Sequence, residues 1–376
     1  MAAKKKFRAI GEYFQTLADR RQEGKIKHKL SDIILLCLCG MIAKLDSWEE
    51  IESFCKHHIA IFKQFLELPN DIPSHDTMER VMRTLNPKEL KRCLSKLVYD
   101  LRKIVKGDVV SIDGKTLKAT AEDPERKTAL HLVHAWSSAN GLLLGQYQAG
   151  SHVGEITAIP ELLDTLQIEG CTITIDAIGC QVKIAQKIKK KKADFVLALK
   201  GNQETTAKEV ADYFKFAESC KFLDIPAKEY VTLSRGHGRI EKREVYVLTD
   251  LTDLPSSKKW PGLEAVVMIR THRTLRDVTT VSERYYLTSL TDEKAIAHAI
   301  RSHWNVENQL HWSLDVVWGE DRKRDRKDYA GLNMATLRRF ALTLLRADTS
   351  LKMSAPRKRG LATWDINYLV KIIFGE

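Results

Sequence analysis

Three acidic residues stand where a carboxylate is hard to accommodate. Asp113 follows the apolar run Asp108–Ile112, in Ser-Ile-Asp-Gly-Lys-Thr, and Asp176 follows Cys171–Ile175, in Thr-Ile-Thr-Ile-Asp-Ala. An ionised group beside β-forming apolar residues is poorly solvated unless something compensates it. A lone Asp in such a place is usually a turn former or a helix cap, and that reading stays open for each. Two of them at the carboxyl ends of strands in one sheet read differently, because ligands of α/β sheets gather at those ends. Neighbouring strands lie about 4.8 Å apart, close enough for two carboxylates to share one cation. Glu307 is the third. It recurs at helical spacing with Ile296, Ile300, Trp304, His311 and Leu314, as a carboxylate in a stripe of apolar and aromatic residues. Either it forms a buried ion pair, with Arg301 or Lys115 as partner, or it meets Asp113 and Asp176. Three carboxylates with no nucleophile of another kind suit hard divalent cations, Mg2+ or Mn2+. Two such ions, about 3.5–4 Å apart, serve phosphoryl transfer by stabilising the attacking and leaving oxygens.

Other residues admit two readings. His303, Glu307 and His311 share a helix face at intervals of four and could bind zinc, but the order is not His-Glu-x-x-His and no cysteine is near. Asp315, Glu320 and Asp321 are alternative acidic ligands or surface charges. His237 and Arg239, in Arg-Gly-His-Gly-Arg, contact phosphate or simply turn a hairpin. Lys189–Lys192 meets DNA or complements a helix dipole. The densest basic segment, 322–359, holds 12 Lys or Arg against 3 Asp. Arg322, Lys323, Arg324, Arg326 and Lys327, then Arg338, Arg339 and Arg346, form a stripe able to neutralise phosphates. Each such contact changes the salt slope of binding by about −0.9.

The elements that must position these groups follow from periodicity. Residues 1–104 read as a separate helical unit: Leu30–Ala43 is apolar, Trp48, Ile51, Phe54 and Cys55 follow at helical spacing, and Pro87 suits a first helical turn. From 105 the pattern becomes α/β. Strands are expected at 108–112, 128–136 and 142–148, the last two joined by an Asn140-Gly141 turn. A helix over 155–166, a strand over 171–175, a helix over 181–192 and a strand over 195–199 complete a mixed sheet. Residues 205–289 read as a mostly β insert, with strands at 229–233, 241–248, 265–271 and 282–288. A long helix from Glu293 to about Trp318 and another over 330–346 return to the core, and 351–376 reads as a tail.

The chain has 376 residues, with 61 Lys and Arg against 49 Asp and Glu, a formal charge of +12. That balance favours polyanions, nucleic acid before an anionic membrane surface. The longest apolar run, Ile33–Ala43, is too short to span a bilayer. The N-terminus lacks the apolar stretch of a secretory signal. The seven scattered cysteines form no Cys-x-x-Cys pair and read as reduced core thiols of a cytoplasmic protein.

In ordered blocks the chain resembles the insertion-sequence DDE transposases of the ISAs group, which includes the H-repeat-associated proteins found beside Rhs elements. The blocks are Ser111–Thr116, Glu155–Pro160, Ile175–Gln181, Leu199–Gln203, His237–Arg239, Arg284–Leu287, Arg301–Asn308 and His311–Asp315. The resemblance implies an α/β fold with a ribonuclease-H-like core, split by a β insert and preceded by a helical, DNA-binding domain. It implies Asp113, Asp176 and Glu307 as the metal-binding triad. The expected substrate is double-stranded DNA, cleaved at terminal inverted repeats and joined through a 3′-hydroxyl, with a homodimer on the DNA. The expected DNA contacts are Lys115, Lys200, Asn202, His237, Arg239, Arg301, His303, Asn308, Arg322, Arg324 and Arg326. The pattern departs from the family where an Arg often precedes the Glu by four and a Lys follows it by seven; here these are His303 and Leu314. His152 and Val153 depart before Glu155. Trp260, in the insert, either stacks a displaced base or packs a loop. A ribonuclease-H-like nuclease and a DNA-binding relative without catalysis are the competing functions.

Overall fold

The computed structural model describes residues 10–103, 105–118, 120, 129–150, 154–236, 238–323, 325 and 327–375. Six helices open the chain: α1 (Ile10–Phe14), α2 (Leu30–Ile42), α3 (Trp48–His57), α4 (Ile59–Phe62), α5 (His75–Thr84) and α6 (Pro87–Leu101). Their ends are set locally. Ser47 and Glu50 close a capping box on α3, Ser74 caps α5, and Asn86 caps α6 with Pro87 in its first turn.

The α/β part runs β1 (Val109–Leu117), β2 (Leu130–Ser137), β3 (Leu142–Ala149), α7 (Glu155–Thr165), β4 (Thr172–Ile175), α8 (Val182–Lys190) and β5 (Asp194–Leu199). Gly141 turns the β2–β3 hairpin with φ +61°, a conformation that favours glycine. Next comes α9 (Glu204–Ser219), a helix in the span read as mostly β. Its buried Thr206, Val210, Tyr213, Phe214 and Ala217 do carry a helical period. Strands β6 (Ala227–Gly236), β7 (Arg239–Leu248), β8 (Ala265–Leu275) and β9 (Val278–Thr288) follow. Each is longer than its apolar segment, because the outer halves are polar and exposed.

The nine strands form one sheet in the order β3-β2-β1-β4-β5-β9-β8-β7-β6. Strands β1, β4 and β5 are parallel, and the other pairings are antiparallel. The strands of the insert thus extend the core sheet through β5–β9. Helix α10 (Glu293–Asn305) crosses one face of this sheet and passes into π-helical turns at Val306–His311 and Ser313–Val317. Helix α11 (Ala330–Ala347) is buried over most of its length and packs against α2, α5 and α6. Residues read as a tail form α12 (Ala355–Trp364) and α13 (Ile366–Phe374), which pack on α2 and each other; Phe374 stacks on Phe65 with ring centroids 4.7 Å apart. One continuous apolar cluster runs from Ile10 to Ile373. Six of the seven cysteines are buried, and all seven are free thiols.

Candidate active site

Asp113 and Asp176 come together through strand register. Strands β1 and β4 pair in parallel from Val109↔Thr172 to Ile112↔Ile175, so the two carboxylates follow side by side at the ends of that ladder. Alternation puts them on the face covered by α10. One pleat below, Thr174 donates to the Ser111 hydroxyl at 3.1 Å, and Ser111 donates to the Ser302 carbonyl of α10. His303 Nδ1 lies 3.0 Å from Thr174 Oγ1 in the same polar layer. The carboxylates are held by backbone: Gly114 N–H donates to Asp113 at 2.9 Å and Ile178 N–H to Asp176 at 3.1 Å.

Burial pushes the Asp113 carboxyl up to about 7, and the charges of Asp176, Glu307 and Glu155 add to the rise. Asp176 is raised by burial and by Glu155, with Lys200 opposing. Glu307 is raised by burial and by Asp176. The three carboxylates thus sit within electrostatic reach of one another. Among the described residues, no group of three His, Cys, Asp or Glu side chains stands at metal-holding separation.

Glu307 reaches this place differently from the expected stripe. The buried positions of its segment are Ile296, Ala299, Ile300, Ser302, Val306, Leu310, Ser313 and Leu314, while Trp304 is 38% exposed and Glu307 is exposed. Burial follows a neighbouring stripe, and Glu307 lies on the open side within electrostatic reach of Asp113 and Asp176. The histidines of the zinc reading take different partners: His303 turns inward to Thr174, and His311 turns to His134 and Asp113.

A fourth carboxylate, Glu155, was missed by sequence reasoning because at the first turn of α7 it resembles an ordinary helix-start acid. Its Oε1 lies 2.8 Å from His131 Nε2. A Cβ on Gly114 would collide with both groups. The glycine of Ser-Ile-Asp-Gly-Lys-Thr thus leaves room for the ends of these two side chains. Lys115 is buried and paired with Asp315 and Asp321, which assigns those acids to an ion-pair cluster.

The family model for the transposase DDE domain matches residues 105–344, and a DDE-transposase-associated model matches 11–98. The chain belongs to the DDE transposase family. Its relatives include the "H repeat-associated putative transposase YhhI" of Escherichia coli K12, 37% identical over 97% of both chains. YncI of Escherichia coli O157:H7, also named as a transposase, is 36% identical over 96% of this chain and 93% of its own.

In this transposase the basic residues divide into two groups. Arg338 and Arg339 are buried and paired with Glu320 and Asp325. Arg346 is half-buried against Trp136 and donates to the Gln309 carbonyl. The stripe read over α11 is thus interior: a charge needs its partner more than solvent once the helix is covered on every side. Lys323 pairs with Asp46. Lys189 and Lys192 pair with Asp194 and Glu169, and Lys191 donates to the carbonyls at the end of α7. Trp260 is 4% exposed and packs a loop. His152, Val153, His237, Arg324 and Arg326 lie outside the described residues. His303 and Lys115 face inward, whereas Lys200, Asn202 and Arg322 are exposed; Asn202 also donates to the Ala177 carbonyl just after Asp176.

The second group lines a groove of about 830 Å³ between α10 and the outer halves of β6–β9. Cross-strand pairs share a face, so register places Arg243 with Thr271 and Ser282, and Arg273 with Glu241, Ser234 and Thr280, along one side. Arg239 and Arg284 join them, and Lys294, His298, Arg301, Trp304 and Asn308 form the helical wall. Among the described residues, six Lys or Arg and one acid, Glu241, line this groove. Asn308, a wall residue, is the sequence neighbour of Glu307.

Proposed function

We propose that this transposase binds the terminal inverted repeats of double-stranded DNA, cuts a strand with water and joins the freed 3′-hydroxyl to a target. In this reading Asp113, Asp176 and Glu307 hold Mg2+ or Mn2+, two ions, within a ribonuclease-H-like core. The observation that carries it is the side-by-side placement of Asp113 and Asp176 just past the last pair of the parallel β1–β4 ladder, with Glu307 within electrostatic reach. The donor set fits hard cations: all three are carboxylates, and each is raised above its usual range by burial and at least one other acid. Bound divalent ions supply charge stabilisation to the attacking and leaving oxygens. The strand order β3-β2-β1-β4-β5, with β2 and β3 antiparallel to their neighbours, supports the ribonuclease-H-like description.

The chain's own groups then do three things. Backbone N–H donors fix Asp113 and Asp176, so little reorganisation is needed when substrate arrives. Glu307, on the open side, approaches from the helix. The groove cations, with Lys200 beside Asp176, hold phosphates leading away from the carboxylates, and a homodimer aligns two ends. The helices over 10–103 provide a further DNA-binding unit.

Cleavage of inverted-repeat ends in Mg2+ compares wild type with Asp176→Ala. Wild type is expected to nick the ends and the variant to bind them with at least a hundredfold loss of cleavage. Equal cleavage by both would remove Asp176 from the chemistry; binding without cleavage by wild type would leave a DNA-binding relative.

A further inference from the structure

Behind Asp113 lies a line of buried polar side chains that the proposed chemistry does not use. Asp113 of β1 and His134 of β2 are register partners, so their side chains leave the sheet on the same face. His134 is fully buried. Its Nδ1 lies 3.2 Å from His311 Nε2, and the two rings meet at 61° with centroids 5.3 Å apart. On its other side, His134 Nε2 accepts from Arg339 Nε at 3.2 Å. Arg339 is itself fully buried and donates to both oxygens of Glu320, at 2.6 and 3.1 Å. At the front of the line, His311 Nδ1 lies 3.5 Å from Asp113 Oδ2.

Donor chemistry gives this line one direction. A guanidinium only donates, so His134 Nε2 must offer its lone pair. The His134 proton then sits on Nδ1 and points to His311, whose Nε2 must accept. The His311 proton is left on Nδ1, facing Asp113. Both rings are neutral with the proton on Nδ1. The contact to Asp113 is longer than a hydrogen bond, as polar contacts in substrate-free sites often are. The other Asp113 oxygen already accepts from the Gly114 N–H.

We propose that His311, oriented by His134 and the Arg339–Glu320 pair, is a positioning residue that aims the Asp113 carboxylate for divalent cation binding. This rests on the metal-site reading of Asp113. The line also ties the π turn carrying Glu307 to the strand carrying Asp113, because His311 lies in that turn. Outer partners of metal-binding carboxylates and imidazoles are worth about 10–100-fold in affinity or activity.

Three measurements on the full chain test this. In the metal-free protein, long-range 15N–1H correlation spectra are expected to show both rings as the Nδ1–H tautomer; an Nε2–H tautomer at His311 overturns the proposal. Mn2+ titration followed by electron paramagnetic resonance compares wild type, His311→Ala, His311→Asn and Asp113→Ala, with folding checked by circular dichroism. The Asn amide can stand in for the Nδ1–H donor. His311→Ala is expected to weaken Mn2+ binding about tenfold or more, and His311→Asn to remain within about threefold of wild type. A folded His311→Ala with wild-type Mn2+ affinity overturns the positioning role. Should Asp113→Ala also bind Mn2+ like wild type, the metal-site reading fails instead, and the tautomer spectrum alone then decides whether the line exists. Should His311→Ala misfold, His134→Asn, which keeps a donor toward His311, takes its place, with binding within about threefold expected and a tenfold loss counting against the proposal.

Discussion

Burial, and after it the charges of Asp176, Glu307 and Glu155, push the Asp113 carboxyl up to about 7. The linkage follows in sign. A carboxyl whose folded pKa lies above its unfolded value contributes stability below the unfolded pKa, and that contribution is lost as pH rises through the folded one. Ionisation of Asp113 therefore destabilises the metal-free protein progressively from about pH 4 to pH 7. Asp113→Asn is expected to melt about 2–4 °C above wild type at pH 8 in chelator, with the difference vanishing toward pH 4. Thermal unfolding across that range checks this, and a variant less stable than wild type at pH 8 would refute it. Asp113 and Asp176 were legible in the sequence, because a carboxylate after a β-forming apolar run is unusual without a cation. Glu155 and His131 were not, since neither residue type is rare where it stands. Their part depends on Gly114, whose missing side chain lets them close over β1.

Strands β6–β9 show what alternation achieves over a longer span. Their apolar halves anchor the insert to β5, and their polar halves continue the pleat beyond the core, collecting arginines, serines and threonines on the groove side. The groove cations are exposed enough to exchange counterions. Arg273→Glu combined with Arg284→Glu is expected to reduce the magnitude of the salt slope of DNA binding by about 1.8, two phosphate contacts at about 0.9 each. Binding isotherms between roughly 50 and 200 mM salt measure it, and an unchanged slope would place the DNA elsewhere. The face that Glu307 takes is what sequence periodicity misread. The stripe through Ile300, Trp304 and Glu307 was read as buried, whereas burial follows Ile296, Ala299, Ser302, Val306, Leu310 and Ser313 and leaves Trp304 and Glu307 exposed. Helix α9 was overlooked although its period was present, because strong β signals on its C-terminal side dominated the segment.

Across the molecule, the first and last helices share one interior. Helix α13 packs on α1 and α2, Arg359 donates to the Met41 carbonyl, and Asn333 of α11 donates to the carbonyls of Met82 and Leu85. Leu369→Ala is therefore expected to cost about 2–5 kcal/mol in urea unfolding and to loosen hydrogen-exchange protection in α2 as well as α13; loosening confined to α12 and α13 would show a separable tail. The net charge of +12 divides in the same way. Several of the cations after residue 322 neutralise interior acids, and the groove draws its charge from the insert and α10. The sequence by itself determined the element order of the α/β core, the two aspartates that follow apolar β runs and the family blocks, because local period and residue type suffice for these. The tertiary structure alone decided which face Glu307 takes, which arginines are buried, and that His134, His311 and Arg339 line up behind Asp113. Those outcomes depend on register and on packing between segments up to about 200 residues apart, which no local pattern encodes.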